Sequence, residues 1–248
     1  MKRIAGCLLS FMTFVTPFAA LAADLNLLTD NHPPLHFQQG SQLVGFGVDV
    51  VQALAERTGD QVHLQQVPLL RALHVATTEP ATGVFTVLRT AEREGQFQWV
   101  GPLMDVETAL YCAGNPPQPV RSLQDASQLG RIAVPRKWPA YDYLRKQGLN
   151  NLYGVETPEQ MMRLARLGRI EFVVADTLSI ATLAREEGLA PSQLHYQMPL
   201  MKQGTYIAFS PQTDARQVAR WQQALDEMNR DGRLEQLKQR WLSDNTPR

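Results

Sequence analysis

The chain has 248 residues, equal numbers of basic and acidic side chains (24 of each), 44% hydrophobic residues and 19% charged residues. This near-average composition excludes a disordered or fibrous chain. Balanced charge without runs of one sign also argues against nucleic-acid binding, which needs a basic surface. The length predicts one large domain or two lobes with a sizeable core.

The first 22 residues have the pattern of a secretory signal peptide. Lys2 and Arg3 precede an apolar run, and small residues end the segment at Ala22. The apolar run is shorter than the roughly 20 residues that span a bilayer. We therefore predict a signal peptide at residues 1–22 and a protein exported to the periplasm. Cys112, the one cysteine of the mature chain, cannot form an internal disulfide.

Strands alternate with helices in the first part of the mature chain. After a strand at residues 25–28, Pro33 and Pro34 predict a loop, because proline disrupts both helices and strand pairing. The spacing of apolar residues predicts a helix that ends at Gly59. The next predicted elements are a strand at 62–67, a helix opened by Pro68 with Leu69, Leu70, Leu73 and Ala76 facing inward, and a strand at 84–88.

The alternation starts again after the proline-rich segment at residues 114–119. The expected elements are strands at 131–135, 170–175 and 204–210, helices at 139–147, 157–168 and 178–187, and two C-terminal helices separated by Gly232. Two such units predict an α/β fold with two lobes, each built on a mainly parallel sheet flanked by helices. Ligands of these sheets bind beyond the strand ends.

Four segments in chain order resemble the family 3 extracellular solute-binding proteins, the periplasmic receptors of polar amino-acid importers. They read LVGFGVDV at 43–50, RTAERE at 89–94 with FQW at 97–99, GRIEFVVAD at 168–176, and NRDGRL at 229–234 with Trp241. The resemblance covers essentially the whole mature chain. Each segment is a weak signal alone, and their order makes the resemblance specific.

The resemblance implies the two-lobe periplasmic-binding-protein fold of type II, with crossing strands near residues 107 and 204. Lobe 1 would comprise residues 23–106 together with 205–248, and lobe 2 residues 107–204. It also implies a monomeric receptor that binds a small carboxylate-bearing solute, an amino acid or a derivative, and delivers it to the membrane subunits of an ABC importer.

In the resembling family, the arginine of a Thr-x-x-Arg segment binds the ligand α-carboxylate, and Arg93 occupies that position. A guanidinium matches a carboxylate with two parallel hydrogen bonds. The alternative is a surface salt bridge with Glu92 or Glu94, of roughly 0 to 1 kcal/mol. The resemblance favours ligand contact. Thr90 either contacts the carboxylate or caps the following helix.

The aspartate that ends the lobe 2 strand binds the ligand ammonium group in amino-acid receptors of this family, and here it is Asp176. The alternative is an N-cap for the helix that starts near Leu178. His32 lies where the family often has an aromatic residue that stacks on the ligand. An exposed loop histidine is the alternative reading.

This chain departs from the family before the Thr-x-x-Arg segment, where Phe85 and Thr86 replace small hydroxyl residues as ligand-contact candidates. In lobe 2, Arg-Lys-Trp-Pro at residues 136–139 replaces a glycine-hydroxyl turn at a helix start. Trp138 and two cations there favour a ligand that is larger, aromatic or more negatively charged than a polar amino acid. The alternative is that Trp138 only packs beside Tyr141.

Arg71 and Arg89 are further basic candidates near the cleft, although an exposed arginine is usually only solvated. His32 and His36 are separated by two prolines, which excludes the helix that would align them as metal ligands. We find no motif for a cofactor, a phosphate or a catalytic nucleophile, and predict no cofactor. The prediction is a binding protein, with a small periplasmic lyase similar to cyclohexadienyl dehydratases as the alternative.

Overall fold

The structure is a computed structural model that describes residues 24–114 and 120–242. The predicted signal peptide lies outside the described residues. Within these two ranges, no helix combines the length and apolar character needed to cross a membrane.

The described residues form ten strands and eight α-helices. The strands are β1 (Asp24–Thr29), β2 (Phe37–Gln39), β3 (Gln42–Val44), β4 (Gln61–Gln66), β5 (Thr82–Leu88), β6 (Gln98–Ala113), β7 (Ile132–Pro135), β8 (Leu152–Val155), β9 (Phe172–Asp176) and β10 (Leu194–Phe209). The helices are α1 (Phe46–Thr58), α2 (Leu69–Thr78), α3 (Leu123–Leu129), α4 (Pro139–Lys146), α5 (Pro158–Arg166), α6 (Ile180–Glu186), α7 (Ala215–Arg230) and α8 (Arg233–Leu242).

Eight of these strands form one sheet in the order β4-β1-β5-β10-β6-β9-β7-β8. At one end β1 pairs in parallel with β4 and β5, and at the other end β7 pairs in parallel with β8 and β9. The central strands β6 and β10 are antiparallel and 16 residues long each. Two similar parallel units are thus joined by one long antiparallel pair.

The buried apolar residues form four clusters. Two use residues from 25–106 and 207–237, and the other two use residues from 109–200. The C-terminal helices therefore pack on the first unit, where the indole of buried Trp221 donates a hydrogen bond to Asp60 at 2.7 Å. The lobe boundaries at residues 107 and 204 stay a prediction, and the change of cluster within β6 and β10 supports them.

Several predicted element ends agree with the structure. Gly59 follows α1 in the left-handed conformation, with φ of 73°. The Thr157 hydroxyl caps α5 by accepting a hydrogen bond from the Gln160 amide at 3.2 Å.

Gly45 precedes α1 with a φ of 128°, and a β-carbon there would lie 2.5 Å from the Leu35 carbonyl oxygen. Glycine therefore lets the loop after β1 pack against the start of α1.

Two predictions differ from the structure. Leu70 is 53% exposed rather than inward-facing, and α2 is buried through Ala72 and Ala76, whose small side chains allow close packing. The strand predicted at 204–210 is only the end of β10. Its first part is missed because Pro199 and the polar Lys202 and Gln203 interrupt the apolar pattern.

Candidate functional site

A cavity lies between the two units of the sheet, and its lining comes mostly from the ends of strands and the loops that follow them. Asp30, His32 and His36 follow β1, Arg93 follows β5, and Asp176 ends β9. This agrees with the rule that ligands of α/β sheets bind beyond the carboxyl ends of parallel strands.

Arg93 is half-buried at the cavity wall. Its backbone amide donates to the Thr90 carbonyl at 3.0 Å, and its Nη1 donates to the Leu88 carbonyl at 3.2 Å. Burial lowers the pKa of Arg93, the charge of nearby Glu92 acts in the opposite direction, and the guanidinium remains cationic at neutral pH. Within residues 24–114 and 120–242, no carboxylate forms an ion pair with it. The cavity therefore contains a cation that one carbonyl oxygen only partly satisfies.

Asp176 has a different environment, because hydrogen-bond donors surround both of its oxygens. Its Oδ1 accepts from the Leu178 amide at 3.0 Å and from the Ser179 amide at 2.8 Å. Its Oδ2 accepts from the Ser179 hydroxyl and lies 3.0 Å from His32 Nε2. Asp176 thus satisfies backbone amides before α6, the alternative role predicted for it, and also bridges to a residue 144 positions away.

The His32–Asp176 contact is an ion pair at neutral pH. Burial alone would lower the pKa of His32, but the charge of Asp176 and the hydrogen bond to it raise this pKa to about 9. Burial would raise the pKa of Asp176, and the charge of His32 and the hydrogen bonds lower it to about 2. Each group therefore holds the other in its charged form.

His36 lies behind His32 and is buried. Its Nδ1 donates to the Asp30 carbonyl at 2.8 Å, and its ring meets Phe85 edge-on at 5.8 Å. Burial lowers the pKa of His36 to about 4, so this histidine is neutral at neutral pH. It holds the loop after β1 in place and adds no charge to the cavity.

Thr86 lines the cavity and has an unfavourable backbone conformation, with a φ of 57°. A β-branched residue rarely adopts positive φ, and such strain is concentrated at functional sites. The Thr86 hydroxyl donates to the Phe85 carbonyl at 2.7 Å. The distortion coincides with an irregularity in the β5–β10 pairing opposite Ile207.

Lys137 and Trp138, which follow β7, line the cavity at the start of α4. Lys137 is exposed, and Trp138 is partly buried. Arg136 does not line the cavity. Its guanidinium lies over the Tyr141 ring and 3.7 Å from Glu156.

Four other predicted residues lie outside the cavity lining. Phe85 is buried in the core, and Arg71 is exposed on α2. Arg89 forms an ion pair with Glu94 and stacks on two aromatic rings, those of Trp99 and Tyr206. The Thr90 hydroxyl is buried and has no hydrogen-bond partner among the described residues.

The cavity also contains residues that were absent from the predicted site, including Asp30, Leu35, Leu69, Met201 and Thr205. Asp30 directly follows β1, so the strand-end rule could have identified it. Met201 lies in the first part of β10, which was not predicted, and Thr205 lies in the predicted part. Their place in the lining depends on the crossing of β6 and β10, which has no local signature.

Solved structures with this fold include proteins of several functions. The sensor domain of a histidine kinase with similarity to periplasmic binding proteins has a TM-score of 0.77 and 21% identity, over 88% of this chain and 95% of that chain. A putative ABC-transporter binding component from Wolinella succinogenes, complexed with lysine, has a TM-score of 0.74 and 17% identity, over 88% and 95%. An ancestral amino acid-binding protein, a precursor of cyclohexadienyl dehydratase, has a TM-score of 0.72 and 18% identity, over 88% and 95%.

These identities establish the fold alone, and they confirm the predicted periplasmic-binding-protein fold with two lobes. A comparison with curated proteins found no match. The sequence pattern of the bacterial extracellular solute-binding proteins, family 3, matches residues 25–244, which is most of the chain. The chain therefore belongs to the bacterial extracellular solute-binding proteins of family 3.

Proposed function

We propose that this protein is a periplasmic receptor that closes its two lobes on a small carboxylate-bearing solute and delivers it to an ABC importer. It would be exported by the signal peptide at residues 1–22 and act as a monomer. Family membership supports the binding role, and a putative binding component of an ABC transporter has the same fold.

The observation that carries this proposal is the state of Arg93. Withdrawing a charge from water is costly unless the charge is paired, and within residues 24–114 and 120–242 the side chain of half-buried Arg93 donates one hydrogen bond, to the Leu88 carbonyl. A ligand carboxylate would supply two charge-assisted hydrogen bonds to the guanidinium. Arg93 is therefore the proposed carboxylate partner, and Thr86, His32 and Trp138 line the same cavity.

The experiment is isothermal calorimetry on the mature chain with small carboxylic acids and amino acids that raise its melting temperature, since a ligand that binds only the folded state stabilises it. Arg93→Ala should lose about 2 to 5 kcal/mol of binding free energy, because the ligand carboxylate is left unpaired. Arg89→Ala is the matched control, because Arg89 pairs with Glu94 outside the cavity.

Equal affinities of Arg93→Ala and the parent would contradict the proposal. Incubating each bound compound with the protein and analysing the mixture by mass spectrometry separates a receptor from a lyase. Recovery of the compound unchanged is the expected result. Conversion to a product at a rate above that of the Arg93→Ala protein would identify a lyase instead.

A further inference from the structure

We propose that the site selects monocarboxylates with an apolar or aromatic body and no α-ammonium group, in preference to zwitterionic α-amino acids. The inference rests on the proposed function, because it takes Arg93 as the carboxylate partner. It concerns the other end of the ligand, where Asp176 is the aspartate that the family resemblance assigns to an ammonium group.

The first step is that Asp176 has no acceptor position left for an ammonium group. An ionised carboxylate offers about four lone-pair positions. In Asp176, these are directed to two backbone amides, one serine hydroxyl and the His32 imidazole. Its side chain is only 7% exposed. A ligand ammonium would have to displace His32 and leave that cation without its partner.

The second step is the balance of charge around the cavity. The cationic side chains in the lining are Arg93, Lys137 and His32, and the anionic ones are Asp30 and Asp176. The His32–Asp176 pair cancels itself, which leaves two cations against Asp30. One extra negative charge neutralises the lining, and a monocarboxylate carries that charge. A zwitterionic amino acid has a net charge of zero and would leave the lining with its excess positive charge.

Asp30 is the competing site for an ammonium group. Its side chain is 31% exposed, and its Oδ1 lies 3.6 Å from Nδ1 of neutral His36. However, Asp30 lies close enough to His32 to raise the pKa of that imidazole. Asp176 is the paired carboxylate of His32, but the imidazolium also lies within electrostatic range of Asp30, and its positive charge would oppose an ammonium group placed beside Asp30.

The third step is the nature of the remaining wall. The indole of Trp138 and the side chains of Leu35, Leu69, Leu88 and Met201 line the cavity. Such side chains bind apolar and aromatic bodies and offer few hydrogen bonds to polar ones. A carboxylate at Arg93 with a hydrocarbon or aryl group against Trp138 fits both the charges and the apolar wall.

The test is calorimetry with matched pairs of compounds that differ only in the α-amino group: 3-phenylpropanoate with L-phenylalanine, 4-methylpentanoate with L-leucine, and glutarate with L-glutamate. In the parent protein, at least one monocarboxylate should bind about tenfold or more tightly than its amino acid, the factor expected when a buried charge lacks a partner. Glutarate should bind more weakly than the better monocarboxylate.

His32→Gln removes the competing cation and retains a donor for Asp176, so it should shift each acid-to-amino-acid ratio by about tenfold towards the amino acid. His63→Gln is the matched control, because His63 pairs with Asp24 on the exposed edge of the sheet and should leave the ratios unchanged. The ratio in the parent protein decides the inference even if His32→Gln fails to fold.

Two negative results can be distinguished. If binding depends on Arg93 but the amino acids bind as tightly as the acids or more tightly, only this inference is wrong, and Asp30→Asn then tests whether Asp30 binds the ammonium group. If no compound of the panel shows binding that Arg93→Ala abolishes, the proposed function and this inference both fail.

Discussion

The two sides of the cavity differ in how many hydrogen-bond partners the protein supplies to the charged side chain there. Arg93, which follows β5, donates one side-chain hydrogen bond to a carbonyl, and no carboxylate within residues 24–114 and 120–242 forms an ion pair with it. Asp176, at the end of β9, has two backbone donors at Oδ1 and a hydroxyl and an imidazole donor at Oδ2. A charge that the fold already satisfies supports structure, whereas one that the fold leaves available is suited to a ligand.

The comparison predicts that Asp176→Ala destabilises the fold much more than Arg93→Ala. Removing one member of a buried, hydrogen-bonded pair leaves the Leu178 and Ser179 amides and the His32 cation without their acceptor. We expect a loss of about 3 kcal/mol in the free energy of unfolding for Asp176→Ala. The measurement is urea unfolding, with the midpoint read at an unchanged m-value.

Arg93→Ala should change the free energy of unfolding by less than about 1 kcal/mol, because only one hydrogen bond is lost. Asp176→Asn is the conservative partner of the alanine variant and should be less damaging, since an amide oxygen still accepts from a backbone amide. Similar losses of stability in Asp176→Ala and Arg93→Ala would contradict the contrast between the two sides.

The strained residue Thr86 lies on β5, the strand that Arg93 follows, so it is on the same side of the cavity as Arg93. Thr86→Gly should relieve the left-handed backbone, with a gain of about 1 to 2 kcal/mol that offsets its lost packing. Thr82→Gly, on the same strand but without positive φ, lacks that gain. We therefore expect Thr86→Gly to be more stable than Thr82→Gly by about 1 to 2 kcal/mol in thermal or urea unfolding.

The same pair of variants should separate stability from binding. Thr86→Gly makes the cavity wall more flexible and should weaken binding of the compounds that depend on Arg93, whereas Thr82→Gly should not. If Thr86→Gly lowers the free energy of unfolding as much as Thr82→Gly does, the positive φ of Thr86 has no measurable cost in stability. The expectation of strain at the cavity would then be wrong.

The His32–Asp176 pair predicts a pH dependence of stability. The pKa of His32 is raised from 6.5 to about 9, so its stabilisation is complete below pH 6.5 and is lost as pH rises through 9. The pKa of Asp176 is lowered from 3.8 to about 2, so its stabilisation is complete above pH 3.8 and is lost as pH falls through 2. Both contributions are complete between pH 3.8 and 6.5.

We therefore expect the difference in unfolding free energy between the parent and His32→Gln to be larger at about pH 5.5 than at about pH 9.5. The change should be on the order of 1 kcal/mol, because 29% of the His32 side chain is exposed and solvent screens the pair. His63→Gln, in an exposed pair, is the control. A difference that grows towards high pH would show that the His32 cation does not stabilise the fold.

The sequence alone determined the family, the alternation of strands and helices, and several of the residues around the cavity. These features have local causes. Apolar spacing specifies elements, Gly59 can adopt the left-handed conformation that ends α1, and Thr157 caps α5 with its own hydroxyl. The Thr-x-x-Arg segment placed Arg93 near the strand ends by resemblance, and the structure locates it in the cavity lining.

Only the tertiary structure decided which charged side chains are left available to bind a ligand. Arg89 and Arg93 lie four residues apart, and both were candidates from the sequence, but Arg89 stacks on Trp99 and Tyr206, which are brought to it by β6 and β10. His32 and Asp176 meet across 144 residues. Pairing energies depend on distances between groups that are remote in the chain, and local sequence patterns do not encode those distances.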